Sequence, residues 1–183
     1  MTQFHKVEAD RPPKKKILLL SDDCRLHSGI ATQSLELIKA TVGNFDWCQL
    51  GAARKHPDHG QIFDWSGHIS DLTGVSDAYL KIYAHSGYGN PQVLAEVMQA
   101  ERPDAILIFT DPRFWDWLFA IEDKVRAEVP ILYWNIWDAP PAPNWNYPFY
   151  KSVDGIFNIS KQTHALVESV FLNNSDGSSL VKL

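Results

Sequence analysis

Lys16-Ile17-Leu18-Leu19-Leu20-Ser21-Asp22-Asp23, then Cys24-Arg25-Leu26-His27-Ser28-Gly29-Ile30, then residues 31–43, is the stretch whose reading decides the fold. The first part is an apolar run of strand length. The second is a turn holding Ser28 and Gly29. The third is helical, with Ile30, Leu37, Ile38 and Val42 on one face. Gly43 stands where a left-handed cap would close that helix. A strand, a glycine turn and a helix open an open-sheet α/β domain. Such a unit aims backbone N–H groups and a helix dipole at anions, although one glycine signals this far more weakly than a GxGxxG turn.

The pattern repeats along the chain. Phe45-Asp46-Trp47-Cys48-Gln49-Leu50 reads as a second strand ended by Gly51. Residues 51–80 are irregular, with one short strand expected over 61–65, and Leu80-Lys81-Ile82-Tyr83-Ala84 reads as the next strand. Asn90-Pro91 supplies a capping side chain followed by proline at the first helical position, and Val93, Leu94, Val97 and Met98 form that helix's stripe. Arg102-Pro103-Asp104 stops it before the apolar strand Ala105-Ile106-Leu107-Ile108-Phe109. Phe114, Trp117, Leu118, Ile121 and Val125 define a single amphipathic helix. Strands at 131–136 and 155–159 follow, with Ser160 as the cap of a last helix whose stripe is Leu166, Val167, Val170 and Phe171. Alternation of this kind predicts six or so mainly parallel strands in an α/β, doubly wound sheet with helices on both faces.

Composition narrows the function. A chain of 183 residues with 45% hydrophobic content suits one compact domain. A net charge of −5, with Lys14-Lys15-Lys16 the longest basic run, argues against a nucleic-acid surface. Those lysines read as solvating a flexible tail over residues 1–15. The two cysteines, Cys24 and Cys48, have no CxxC spacing and fit a reduced, cytoplasmic protein better than a disulfide-stapled one. The tail is too polar for a signal peptide, and no apolar run reaches bilayer-spanning length.

In parallel sheets ligands bind past the C-terminal ends of the strands. Those ends carry Asp22, Asp23, Gly29, Asp111, Trp137, Asp138 and Ser160. Each aspartate also suits a plain helix cap, and together they suit general-base work or a divalent cation. His56-Pro57-Asp58-His59 has an HxxH spacing, but its proline opposes a helical pair and no cysteine lies near, so exposed loop histidines and no metal site are expected. Tyr133, Trp134, Trp137, Trp145, Tyr147, Phe149 and Tyr150 are unusually dense aromatics. About half of them read as core, while Trp137 and Trp145 flank a loop at the ligand edge, where a ring can stack on a sugar.

Taken together, these motifs resemble the N-terminal domain of glycosyltransferases with two Rossmann-like domains (the GT-B architecture), closest to the retaining family that includes sucrose synthases and mannosyltransferases. Residues 16–20 with Ser28-Gly29-Ile30-Ala31-Thr32 match its first βα unit, and Arg102-Pro103-Asp104 its fourth. Residues 131–138 match the strand that ends in a His-Asp pair, with Trp137 standing where that family has His. Val153-Asp154-Gly155-Ile156-Phe157-Asn158-Ile159-Ser160 matches the strand that closes the domain. The resemblance covers residues 16–172 and makes 173–183 a linker toward a missing C-terminal domain.

The resemblance implies transfer of a sugar from a nucleotide-sugar co-substrate to a hydroxyl of a glycan or small-molecule acceptor, with no other cofactor. Ser28, Gly29 and Ile30 would face the donor phosphate, Asp138 would orient the acceptor hydroxyl as the catalytic group, and Trp137 would stack on a sugar. Half a cleft positions little, so the chain alone is expected to be inactive unless a homodimer completes it. Two other readings stand beside this one. Asp22-Asp23, Asp111 and Lys161 mimic the acidic pocket of a receiver-type signalling domain, and Trp137 in place of His suits a glycan-binding module without catalysis.

Overall fold

The computed structural model describes residues 13–174. The readings for residues 1–12 and 175–183, most of the tail and of the linker, lie outside them.

Strand β1 (Lys15–Asp22) leads through the Ser28 turn into helix α1 (Gly29–Thr41) and then β2 (Phe45–Ala53). A short β3 (Ile62–Asp64), α2 (Ser66–Thr73), β4 (Leu80–Ser86) and α3 (Pro91–Glu101) follow. After β5 (Ala105–Phe109) come a 3-10 turn (Pro112–Trp115), α4 (Asp116–Phe119) and α5 (Glu122–Arg126). The remainder is β6 (Ile131–Asn135), a 3-10 turn (Asn144–Asn146), α6 (Tyr147–Tyr150), β7 (Gly155–Asn158) and α7 (Lys161–Asn174).

The strands form one sheet of order β3-β4-β2-β1-β5-β6-β7. Every pairing is parallel except that of β3 with β4. Leaving out β3 and numbering the rest in chain order gives 3-2-1-4-5-6, the order of the Rossmann sheet. The fold is therefore the expected α/β, doubly wound one. A receiver domain follows the order 2-1-3-4-5 instead.

Two cores flank the sheet because successive strand residues point to opposite faces. Leu18 and Leu20 join Leu94, Val97, Leu118, Val125, Val167 and Val170 under α3, α4, α5 and α7. Leu19 joins Ile38, Val42 and Ile69 under α1 and α2. At the N-terminal edge Glu101 is buried and accepts from Lys16 Nζ at 2.9 Å, Tyr79 OH at 2.8 Å and Tyr83 OH at 2.6 Å, tying α3 to β1 and β4. Burial raises the Glu101 carboxyl, but the bonds from Lys16, Tyr83 and Tyr79 outweigh it and bring it down to about 2.

Several expectations need correction. Lys14, Lys15 and Lys16 do not solvate a tail; they pair with Asp77, Asp104 and Glu101, and β1 already begins at Lys15. Gly51 does not end β2, which runs on to Ala53 beside β4. Helix α1 closes on Val42 in a right-handed conformation, without a left-handed Gly43. The irregular stretch holds α2, closed by Gly74 at φ 72°. The single helix read over 114–125 is a 3-10 turn and two short helices. Three residues per turn shift the phase, so Trp115 is fully buried and Phe114 is 47% exposed. Asn173 and Asn174 belong to α7 rather than to a linker.

Candidate functional site

Strand order reverses between β1 and β5, so the chain leaves these neighbours toward opposite faces and opens a crevice at their C-terminal ends. The β1 side is built by Ser28, the N-cap of α1. Its Oγ accepts from Ala31 N–H at 2.9 Å and donates to Asp22 Oδ2 at 2.8 Å. Tyr88 OH donates to the other oxygen, Asp22 Oδ1, at 3.2 Å. Burial and the Asp22 charge raise the Tyr88 phenol to about 12, which keeps it a donor. The N–H groups of Gly29 and Ile30 carry no protein hydrogen bond among the described residues, and a Cβ on Gly29 would meet nothing within 4 Å. The turn is open, yet a carboxylate already occupies the positive end of α1.

Tyr88 was not singled out in the sequence. It stands between Gly87 (φ 74°) and Gly89 (φ 81°), and a Cβ on Gly89 would lie 2.9 Å from Leu50 Cδ2. The Ser86-Gly87-Tyr88-Gly89-Asn90 spacing, a lone aromatic between glycines just past a strand, was the available signal. The Tyr88 ring stacks on Phe114 with centroids 4.4 Å apart, which carries the site across to β5.

There Asp111 caps the 3-10 turn and binds Arg113 through Nε at 2.9 Å. Burial raises the Asp111 carboxyl, but Arg113 outweighs it and holds it below the usual carboxylate range. The Arg113 guanidinium lies 5.9 Å from the Trp137 ring centroid, and Trp137 meets Trp145 edge-on at 5.6 Å. Trp145 is 51% exposed, while Tyr133 and Tyr150 are core. Ser28, Asp22, Tyr88, Phe114, Arg113, Trp137 and Trp145 thus form one contiguous rim.

Asp138 and Ser160 share the edge but stand apart from Gly29. Asp138 is exposed, and its carbonyl accepts from Gln162 of α7. Ser160 Oγ accepts from Thr163 N–H at 3.1 Å as the cap of α7. Strands β1 and β7 are three strand spacings apart, about 14 Å.

Behind the crevice lies a cluster that the sequence concealed. Asp23 and His56 side chains are fully shut from solvent, with His56 Nε2 2.9 Å from Asp23 Oδ2. His56 Nδ1 accepts from Asp58 N–H at 3.0 Å, so Nε2 carries the proton and donates to Asp23. Arg25 binds Asp23 at 2.7 Å and Asp58 at 3.2 Å. Burial raises the Asp23 carboxyl, and the bonds from Arg25 and His56 bring it net below its usual range. His56 is therefore no exposed loop histidine. Among the described residues no group of three or more His, Cys, Asp or Glu is placed to hold a metal ion. None of their helices is long and apolar enough to cross a membrane. Both cysteines are free and buried, and burial with the Asp23 charge raises the Cys24 thiol to about 12, so neither is poised as a nucleophile.

The chain matches no family model, no curated protein and no solved structure.

Proposed function

We propose that this chain is the acceptor-side Rossmann-like domain of a glycosyltransferase, and that its C-terminal sheet edge holds a saccharide. The observation that carries the reading is the rim itself: hydrogen-bonding carboxylates at Asp22 and Asp111 beside stacked and edge-on rings at a switch point of 3-2-1-4-5-6 order. Carboxylate oxygens accept from sugar hydroxyls, and aromatic faces cover the apolar C–H faces of sugar rings.

The charge balance refines this. Asp22 already compensates the α1 dipole, and Arg113 is engaged by Asp111. A phosphate at Gly29 would meet the Asp22 carboxylate, so the β1 end suits a neutral polyol acceptor better than a donor phosphate. Asp138, exposed and at the far side of Trp137, is the base that would accept from the acceptor hydroxyl, while Trp137 and Trp145 hold its ring. Catalysis would need a second domain to bring the nucleotide sugar.

Trp137 at the position of the expected His favours a second reading, a module that binds glycan without turnover. One experiment separates the readings. The chain is titrated with mono- and disaccharides by ligand-observed NMR, then incubated with pooled radioactive nucleotide sugars. Weak saccharide binding that perturbs Trp137 and Trp145, without transfer, fits the acceptor-side domain. Transfer restored by a donor-binding domain supplied in trans separates that domain from a binding module. No saccharide binding at all defeats both readings. Phosphorylation of an aspartate by a small phosphodonor with magnesium would instead favour a receiver domain.

A further inference from the structure

A groove of about 520 Å3 runs between α3 and the α5 region, on the outside of the helical layer. Its floor is apolar: Leu94 and Val125 are already closed into the core, and Met98 on one wall and Ile121 and Val129 on the other remain partly exposed above them. Two cations stand at its rim, Arg102 and Lys124, against one acid, Glu128. Among the described residues no hydrogen bond or ion pair engages the side chain of either cation, although Arg25, Arg113 and Arg126 are each paired with carboxylates.

Arg102 is singular for a second reason. It caps α3 at φ 48°, the one non-glycine with positive φ among the described residues. Glycine fills this cap without strain, as Gly74 does at φ 72° on α2, and Pro103 restricts the backbone of Arg102 further. A long cation kept where glycine is cheaper, exposed and unpaired at the mouth of an apolar groove, indicates a use for the side chain. An apolar valley between helical walls is a seat that a further helix can pack into.

We propose that the α3–α5 groove is a docking site for an amphipathic helix of a partner protein, one that lays its apolar face on Met98, Ile121 and Val129 and sets acidic residues against Arg102 and Lys124. Arg102 lies three residues before β5, so the charged end of the groove faces the sheet edge opposite the Asp22–Trp137 rim, while Pro91 lines its other end.

The test uses the full chain and two fluorescein-labelled, 18-residue designed helices. Both carry the same leucine face; one flanks it with glutamates, the other with lysines. Fluorescence anisotropy is expected to show roughly tenfold tighter binding of the glutamate helix, weakening as salt is added. Arg102→Gly is expected to lower that affinity several-fold while raising the midpoint of thermal unfolding, so the loss is not a loss of fold. Arg102→Lys is expected to keep the affinity. Equal binding of the two helices, binding of neither, or unchanged affinity in Arg102→Gly overturns the proposal. So does a dimer in sedimentation that Arg102→Gly dissolves, since a second copy is then the occupant.

Discussion

The His56 ring donates from Nε2 to Asp23 at 2.9 Å with both side chains excluded from water, and this bond joins two segments that are 33 residues apart in sequence. It fixes the loop after β2 to the end of β1, one residue beyond Asp22. Replacing His56 with Ala leaves Asp23 to Arg25 alone and frees the Asp58 N–H. We expect a loss of about 3 kcal/mol in urea unfolding, the scale for leaving a buried charged acceptor short of a hydrogen-bond donor. A change within about 0.5 kcal/mol, as for an ordinary surface site, would show that the pair does not hold the loop.

Glu101 sets an acid limit on stability. Its folded pKa of about 2 lies below the ordinary 4.5, so its contribution is complete above about 4.5 and is lost as pH falls toward 2. Glu101→Gln keeps the shape but not the charge facing Lys16. It should cost about 2 kcal/mol at neutral pH, and the gap to the natural chain should close on acidification below pH 4.5. Unfolding curves of both chains from pH 7 to pH 2 check this; a gap that persists unchanged at the lowest pH refutes the assignment.

Gly89 places Tyr88. Gly89→Ala puts a Cβ 2.9 Å from Leu50 Cδ2 at φ 81°, where an L side chain is strained. The expected cost is roughly 1–3 kcal/mol. Because the Tyr88 hydroxyl must leave Asp22 when the loop shifts, Tyr88 NMR signals should move as well. Full stability with unmoved Tyr88 signals would count against the role given to Gly89.

How much of this was legible follows from where the information sits. The apolar run of β1, the Ser28 cap and the Asn90-Pro91 start are local, so periodicity and capping chemistry reveal them before any contact is known. They suffice for alternating strands and helices and hence for the sheet edge carrying Gly29, Asp111, Trp137, Asp138 and Ser160. Helix α2 was hidden because its sequence, Ser66-Gly67-His68-Ile69-Ser70-Asp71-Leu72-Thr73, is polar and Trp65 gives no capping bond. The break after Trp115 was hidden because Phe114 and Trp115 are equally apolar, and only the 3-10 turn decides which is buried. Long-range pairs such as Asp23 with His56, or Asp22 with Tyr88 across 66 residues, leave no pattern in the chain at all. The same limit leaves Asp22 looking like one of several equivalent aspartates in the sequence, although its two donors single it out in the fold.

The rim's function can be tested without knowing the acceptor. Trp145 is half exposed and touches Trp137 only edge-on, so Trp145→Ala should change unfolding free energy by no more than about 0.5 kcal/mol. If a saccharide stacks there, the same change should weaken its binding by roughly two- to tenfold, because an aromatic contact is worth on the order of 0.5–1.5 kcal/mol. Asp22→Asn makes the complementary case. Its one amide oxygen still accepts from one of Ser28 and Tyr88, its NH2 faces the other, and the charge at the α1 terminus is gone, so neutral saccharides should bind several-fold more weakly while a phosphorylated sugar gains. A rim that only packs the domain would show the opposite pattern for both residues, stability lost and saccharide affinity untouched. Saccharide titrations by NMR, run beside urea curves on the two variants and the natural chain, distinguish these cases, and unchanged affinity in both variants would remove the rim from the site.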